Sequence, residues 1–293
     1  MRSFALLLAT AALSACRPAA TADEAAASAV PANPTSAQLS LARLDCGKIE
    51  VKDFAKTFSD TPGLYPPGPR ELTDSCYLIR HGEQLMLWDA GFNDALIGHP
   101  YAEPDQTASL DRSLIDQLKD GKITPDKIGL IGISHYHADH TGQAGRFPGA
   151  TLMIGKADYE ALKGTASDPF FKMAQADLKH WLSGGGKVDP VVGDKDVFGD
   201  GSVVMIDLPG HTPGHHSLLV KLASGNVLLS GDLYHADKAR EKRGVPPFNT
   251  DRAATLKSID TFEAKAKEYK AKVVIQHEKA DITKLPAFPQ SAK

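Results

Sequence analysis

The segment Ser134-His135-Tyr136-His137-Ala138-Asp139-His140-Thr141-Gly142 constrains this chain more than any other, because four side chains able to bind a metal fall within six positions. It follows directly on Ile128-Gly129-Leu130-Ile131-Gly132-Ile133, a short apolar run with polar flanks that reads as a buried strand. A fold that accepts this pattern ends a core strand in a loop whose side chains a rigid scaffold aims at one point. In such a loop His135 and His137 converge on one ion, and Asp139 and His140 on a second. Neutral imidazoles and a carboxylate suit zinc or a similar borderline metal; iron, cobalt and manganese are also compatible.

Three further candidates stand where strand-like runs give way to turns. His211 lies in Leu208-Pro209-Gly210-His211-Thr212-Pro213-Gly214-His215, after Val203-Val204-Met205-Ile206. Asp232 ends Leu228-Leu229-Ser230-Gly231-Asp232, and His277 follows Val273-Val274-Ile275-Gln276. Five histidines and two aspartates then fill two metal sites: His135, His137 and His211 on the first, Asp139, His140 and His277 on the second. Asp232 bridges them, as suits ions about 3.5–4 Å apart. His81, His99 and His180 have no partner motif and read as surface or packing residues; His215 and His216 read as loop or supporting residues beside the third ligand.

This pattern resembles the metallo-β-lactamase superfamily, marked by His-x-His-x-Asp-His and then a distant His, Asp and His. The resemblance runs from about Leu41 to Leu285 and includes the turn Trp88-Asp89-Ala90-Gly91. It implies an α/β fold, a four-layer αββα sandwich with two mixed β-sheets, and a supporting role for Asp89 behind the metal loop. Within the superfamily the chain is most similar to the N-acyl homoserine lactonases, on Asp45-Cys46-Gly47, Ser75-Cys76-Tyr77-Leu78-Ile79-Arg80-His81 and Ser230-Gly231-Asp232-Leu233-Tyr234-His235. The true β-lactamases usually carry Cys or Ser at the place of Asp232. Some lactonases place a substrate-binding Tyr three residues after the bridging Asp. Here that place holds His235 and the Tyr stands at 234, so either side chain is a candidate donor to the substrate.

Two ions sharing a water bring its pKa towards neutrality, and the resulting hydroxide attacks an ester, lactone or amide carbonyl. Asp139 can bind metal and carry the proton to the leaving oxygen. The chain has no Gly-x-Ser-x-Gly motif. The expected activity is ring opening of N-acyl homoserine lactones. The alternatives are another hydrolase of the same fold (a β-lactamase, esterase or phosphotriesterase) and a non-catalytic metal-dependent binding lipoprotein. A glyoxalase II-like thioester hydrolase is expected to carry a basic C-terminal region, which is not evident. For an acyl tail the candidate groove residues are Leu64-Tyr65-Pro66-Pro67, Phe170-Phe171 with Met173, Trp181 and Pro246-Pro247-Phe248.

The motifs must converge, so residues 39–293 are expected to form one hydrolase domain. A net charge of −3 and scattered basic residues leave no electrostatic footprint for nucleic acid; the densest stretch, Lys238 to Arg243, reads as a solvated loop. Arg2 precedes an apolar stretch from Phe4 to Leu13 that is too short to span a bilayer as a helix. Leu13-Ser14-Ala15-Cys16 resembles a bacterial lipobox, with a signal peptide at 1–15 and lipidation of Cys16. Arg17 after the cysteine points to the outer membrane, and cleavage near Ala15 as an ordinary secreted protein is the alternative. Residues 16–38 are a flexible tether rich in Ala, Thr, Ser and Pro. Export to an oxidising compartment favours a disulfide between Cys46 and Cys76 over two buried thiols.

The remaining pattern alternates strands and helices. Ser75–Arg80 and Gln84–Trp88 form one expected hairpin, and Ser217–Leu222 and Asn226–Ser230 another. Ala150–Ile154 reads as a strand and Ala157–Leu162 as a short helix. Leu110, Leu114 and Leu118 share a helical face ended by Gly121, and Leu256, Ile259 and Phe262 mark the inner stripe of a helix over about 251–270.

Overall fold

The computed structural model describes Met1, residues 39–165 and residues 169–293. The expected signal peptide beyond Met1, Cys16 and the tether lie outside the described residues, as does the side chain of Phe170. Among those described, no helix is long and apolar enough to cross a membrane.

Two mixed sheets carry the fold. The first contains β1 (Leu39–Val51), β2 (Arg70–His81), β3 (Gln84–Trp88), β4 (Tyr101–Ala102), β5 (Gln106–Ser109), β6 (Ile128–Ile133), β7 (Thr151–Gly155) and β8 (Val188–Val191). Its spatial order is β4-β5-β1-β2-β3-β6-β7-β8. The second contains β9 (Lys195–Asp196), β10 (Val203–Asp207), β11 (His216–Leu222), β12 (Gly225–Leu229) and β13 (Lys272–Val274), in the order β13-β12-β11-β10-β9.

Period-two alternation explains why the sheets stack. On β2 and β3, Tyr77, Ile79, Met86 and Trp88 turn inwards to meet Met205, Leu218, Val220 and Leu229 of the second sheet in one buried layer. Their neighbours Cys76, Leu78, Leu85 and Leu87 turn outwards and are covered by α2 (Leu114–Asp120), α4 (Lys156–Leu162), α5 (Pro169–Asp177) and α6 (Lys179–Leu182). On the far side, Leu219, Leu228 and Val273 pack against Ile259 and Phe262 of α8 (Arg252–Glu268). Helices, sheet, sheet and helix are the four layers that the sequence predicts. Three further short helices are present among the described residues: α1 (Phe54–Phe58), α3 (Ala138–Thr141) and α7 (Asp237–Lys242).

Both expected hairpins form. His81 pairs with Gln84 across Gly82-Glu83, and Leu222 pairs with Gly225 across Ala223-Ser224. The helix ended by Gly121 begins later than its leucine spacing implies. Ser113 caps it by accepting from Asp116 N, and Leu110 lies outside it in the other core. Cys46 and Cys76 are bonded, with Cα atoms 5.7 Å apart. Cys46 occupies a bulge in the β1–β2 ladder, between the pairs Asp45–Ser75 and Gly47–Asp74.

The sheets also decide where function can sit. β3, β6 and β7 run parallel, so the turns after Trp88, Ile133 and Gly155 leave one edge. β12 and β13 are parallel in the second sheet and deliver Asp232 and His277 together. Carboxyl ends of strands are where open α/β sheets bind their ligands.

Candidate metal centre

The turn after β3 prepares the ground. Asp89 adopts φ +60°, a left-handed conformation that a short polar side chain tolerates, and its N–H donates to the Gly132 carbonyl at 2.8 Å. Its carboxylate is fully buried. Oδ1 accepts from Ser134 N at 2.6 Å, and Oδ2 accepts from His140 Nδ1 at 3.0 Å and Gln276 Nε2 at 2.9 Å. One side chain thus fixes the start of the histidine loop, the ring of one ligand and the residue before another. Gly91 follows at φ +62°, and a Cβ there would stand 2.5 Å from Cys46 Cβ, so only glycine lets the turn lie against the disulfide.

All seven sequence-predicted ligands meet at the sheet edge. His135, His137, His211 and Asp232 form one group of donors, and Asp139, His140, Asp232 and His277 form another. His211 Nε2 lies 3.1 Å from both His135 Nε2 and His137 Nδ1. Asp232 stands between the groups: Oδ2 is 3.4 Å from His211 Nε2, while Oδ1 is 3.2 Å from His140 Nε2 and 3.0 Å from His277 Nε2. The far ring nitrogens are held by the protein, His211 Nδ1 donating to Asn249 Oδ1 at 2.9 Å and His277 Nδ1 to the Thr73 carbonyl at 2.7 Å. Such anchoring fixes tautomer and ring angle, as metal-binding histidines require.

The residues present fit a pair of divalent cations. Three converging imidazole nitrogens, two of them 3.1 Å from His211 Nε2, cannot all be satisfied by protons. His140 Nε2, His277 Nε2 and Asp232 Oδ1 are buried and converge within 3.0–3.2 Å, yet none is aligned for a hydrogen bond. Buried polar atoms left unpaired are costly unless something outside the chain pairs them. The donor set is nitrogen and carboxylate oxygen, which suits zinc and its neighbours.

Electrostatics separates the two halves of the metal-free site. Burial, reinforced by His140 and the other imidazoles, holds His135 well below the usual histidine range, and burial with His211 does the same for His137. Burial also opposes charge on His140 and His277. There the carboxylates win: Asp232, Asp139 and Asp89 hold His140 well above its ordinary value, and Asp232 and Asp139 push His277 up to about 9. Burial would raise Asp232 as well, but His277 and His140 keep it well below the carboxylate range.

His235 lines the cavity over this cluster, with Nε2 3.0 Å from Asp232 Oδ2. Burial pushes its ring down to about 4, so it is neutral at neutral pH. The candidacy of Tyr234 is corrected. Its side chain points the other way, fully buried under α8, where its hydroxyl donates to Glu263 Oε1 at 3.0 Å and its ring meets Phe262. Alternation places consecutive residues on opposite sides, so only one of the two could reach the cavity. His215 accepts from Asp232 N through Nε2 at 3.0 Å and donates through Nδ1 to the Leu208 carbonyl, a support rather than a ligand. His216 rests on the backbone carbonyls of Gly214 and Gly193, with Asp207 Oδ1 3.7 Å from its Nε2, and belongs to neither donor group.

The cavity measures about 670 Å³, the size of a small-molecule site. Its apolar walls include Ile49, Phe58, Phe92, Phe171 and Phe248, and the candidate ligands His137 and Asp139 reach into it half-buried. Of the groove residues expected from sequence, Phe171 and Phe248 belong to it. Trp181 is buried core with its indole N–H on the Ala150 carbonyl, and Tyr65 with Pro66 and Pro67 borders a smaller cavity. Ile49, Phe58 and Phe92 carry no sequence signal of their own; β1 and α1 had to be placed before they could be found. A buried Asp158 was likewise missed. It accepts from Tyr136 N, Thr212 Oγ1 and Gly214 N, joining the loops that carry the first three histidines.

A two-sheet sandwich with a paired donor cluster at its strand ends is the frame of a metal-dependent hydrolase. The chain belongs to the metallo-β-lactamase superfamily, whose family model matches residues 70–277. It is 31% identical to the N-acyl homoserine lactonase AttM of Rhizobium radiobacter over 198 residues, covering 61% of this chain and 70% of that protein. Its fold is similar to that of an N-acyl homoserine lactone hydrolase solved with N-hexanoyl-L-homoserine at its catalytic metal centre. The TM-score is 0.72 and the identity 23%, over 86% of this chain and 98% of that one. It is also similar to the dizinc quorum-quenching lactonase AidC, with a TM-score of 0.65 and 18% identity over 87% and 90% of the two chains.

Proposed function

We propose that this chain opens the lactone ring of N-acyl homoserine lactones, and that it does so as an exported lipoprotein. The observation that carries the reading is the seven-ligand cluster centred on Asp232 at the floor of an apolar cavity. The named relatives support the substrate class. Two divalent ions, zinc foremost, held by His135, His137 and His211 and by Asp139, His140 and His277 with Asp232 between them, would supply a nucleophilic water at neutral pH and polarise a carbonyl.

The chain's own residues do the rest. Phe58, Phe92, Phe171 and Phe248 take the acyl tail out of water, which orients the lactone ring towards the cluster. His235, neutral and at the cavity wall, takes the role for which both it and Tyr234 were candidates: its Nε2–H, which meets Asp232 Oδ2 here, would turn to the lactone carbonyl once metal engages Asp232. Asp139, half-buried at the cavity wall, receives the water's proton as its oxygen bonds to the carbonyl carbon. It returns that proton to the ring oxygen as the C–O bond breaks. The products are an alcohol and a carboxylic acid joined in one open chain.

Metal-replete protein incubated with N-decanoyl-homoserine lactone and, separately, with a β-lactam should add the mass of one water to the lactone. A chelator should abolish the reaction. Fast hydrolysis of the β-lactam with an inert lactone would overturn the substrate assignment. The lipobox around Cys16 and the Cys46–Cys76 bond, suited to an oxidising compartment, support export. A Cys16→Ser variant should shift the protein from the membrane to the soluble fraction; unchanged membrane recovery would contradict the anchor.

A further inference from the structure

We infer that the mouth of the cavity sorts its ligands by charge: Glu103 and Asp105, on the β4–β5 hairpin, turn away anionic substrates and hasten the departure of the acid product. This rests on the lactonase reading for the identity of that product, and deepens it.

Four carboxylates border the cavity, namely Asp139, Asp232, Glu103 and Asp105, and no lysine or arginine is among its lining residues. Asp139 and Asp232 belong to the metal cluster. Glu103 and Asp105 do not; among the described residues no cation lines the cavity beside them, and the Lys52 ammonium behind the turn, on the Pro104 carbonyl at 2.6 Å, offsets only part of their charge. The position of Glu103 is built. Its Oε1 accepts from Tyr101 at 3.2 Å, its Oε2 from Gln106 at 3.3 Å, and its backbone N–H closes the turn onto the Gln106 carbonyl at 2.8 Å. Asp105 is exposed beside it, and its carbonyl is tied to Lys52 N at 2.9 Å. Lys52 supports the turn through the Pro104 carbonyl, and it is not a lining residue.

The chemistry gives this arrangement a purpose. Ring opening of a neutral lactone by water yields a hydroxy acid, which loses its proton at neutral pH. The substrate enters without charge and the product leaves with one. Two metal ions at the floor favour a carboxylate and would retain it, and two fixed negative charges at the mouth oppose that retention. Low-dielectric walls focus such a field along the cavity. A unit charge within about a Debye length changes the binding of a carboxylate about two-fold, so the pair, offset in part by Lys52, changes it roughly two- to five-fold at modest ionic strength.

The test compares dissociation constants for the open-chain N-decanoyl-homoserine and its uncharged methyl amide, measured by calorimetry on the full metal-replete chain. In a Glu103→Gln/Asp105→Asn double variant the acid should tighten roughly two- to five-fold relative to the amide. In the unaltered protein, raising the salt should tighten the acid relative to the amide in the same sense. An acid-to-amide ratio indifferent to both changes would overturn the inference. Because the readout is binding, it decides the matter even if the lactone is not hydrolysed, and failure of hydrolysis alone counts against the lactonase reading only.

Discussion

At the scale of single residues, adjacent positions with similar chemistry have opposite fates. Tyr234 and His235 both offer a hydrogen-bond donor, yet Tyr234 is fixed on Glu263 beneath α8 while His235 faces the cluster. A His235→Phe change should lower kcat/KM on the order of 10²-fold, the usual effect of losing one donor to a reacting carbonyl. Tyr234→Phe should leave turnover within about two-fold and lower stability by about 1 kcal/mol, as for one buried hydrogen bond. The opposite pattern in steady-state kinetics and denaturant unfolding would contradict the assignment. The charge state of the ligands makes metal uptake pH-dependent. His277, pushed up to about 9 by Asp232 and Asp139 against its burial, keeps its proton through the neutral range in the metal-free chain. Metal must displace that proton, so apparent affinity rises with pH up to about 9 and falls roughly tenfold per unit below it for each proton displaced. Competition against a chelator at pH 6 and pH 8 should show a difference of at least about a hundredfold. A change under tenfold would contradict the displacement of a raised His277 proton by metal.

At the scale of elements, the disulfide, the Asp89 turn and the histidine loop form one continuous support. Cys46 sits at the β1 bulge, its carbonyl accepts from Phe92 N, and its side chain lies against Gly91, two residues from Asp89. Closing a loop of 30 residues contributes roughly 3–4 kcal/mol on chain-entropy grounds. Cys46→Ser should therefore lower Tm by on the order of 10 °C. Calorimetry showing an unchanged Tm would remove the disulfide from this account. The elements also show what the sequence could and could not reveal. Strands with strong apolar runs, β6 and β10 to β12, were legible because their side chains are buried on both sheet faces. The ligands could be read because each follows such a run. β1, β4, β5 and α1 were not legible. Their periodic stretches are too short to stand out: a bulge at Cys46 breaks the alternation of β1, α1 shows one i, i+4 pair in Phe54 and Phe58, and β4 and β5 are two and four residues long. Those elements supply Ile49, Phe58 and the acidic mouth, which is why the cluster was predicted nearly whole and the cavity above it only in part.

At the scale of the whole molecule, two mixed sheets bring residues from 89 to 277 to one edge and leave a cavity whose floor is polar and whose walls are apolar. The αββα order is what the resemblance implies, the alternation of strands and helices fits it, and the family match over residues 70–277 agrees with it. The central claim is that this edge holds two metal ions which make the chain a lactone hydrolase. It is tested most directly by titrating the acid released in weak buffer when N-decanoyl-homoserine lactone is added to the domain from residue 39, first metal-stripped and then reloaded. The account predicts acidification at kcat/KM above about 10⁴ M⁻¹s⁻¹ with about two ions bound per chain, and none from the stripped protein. No acid release from protein shown to hold both ions, or equal rates with and without them, would contradict it.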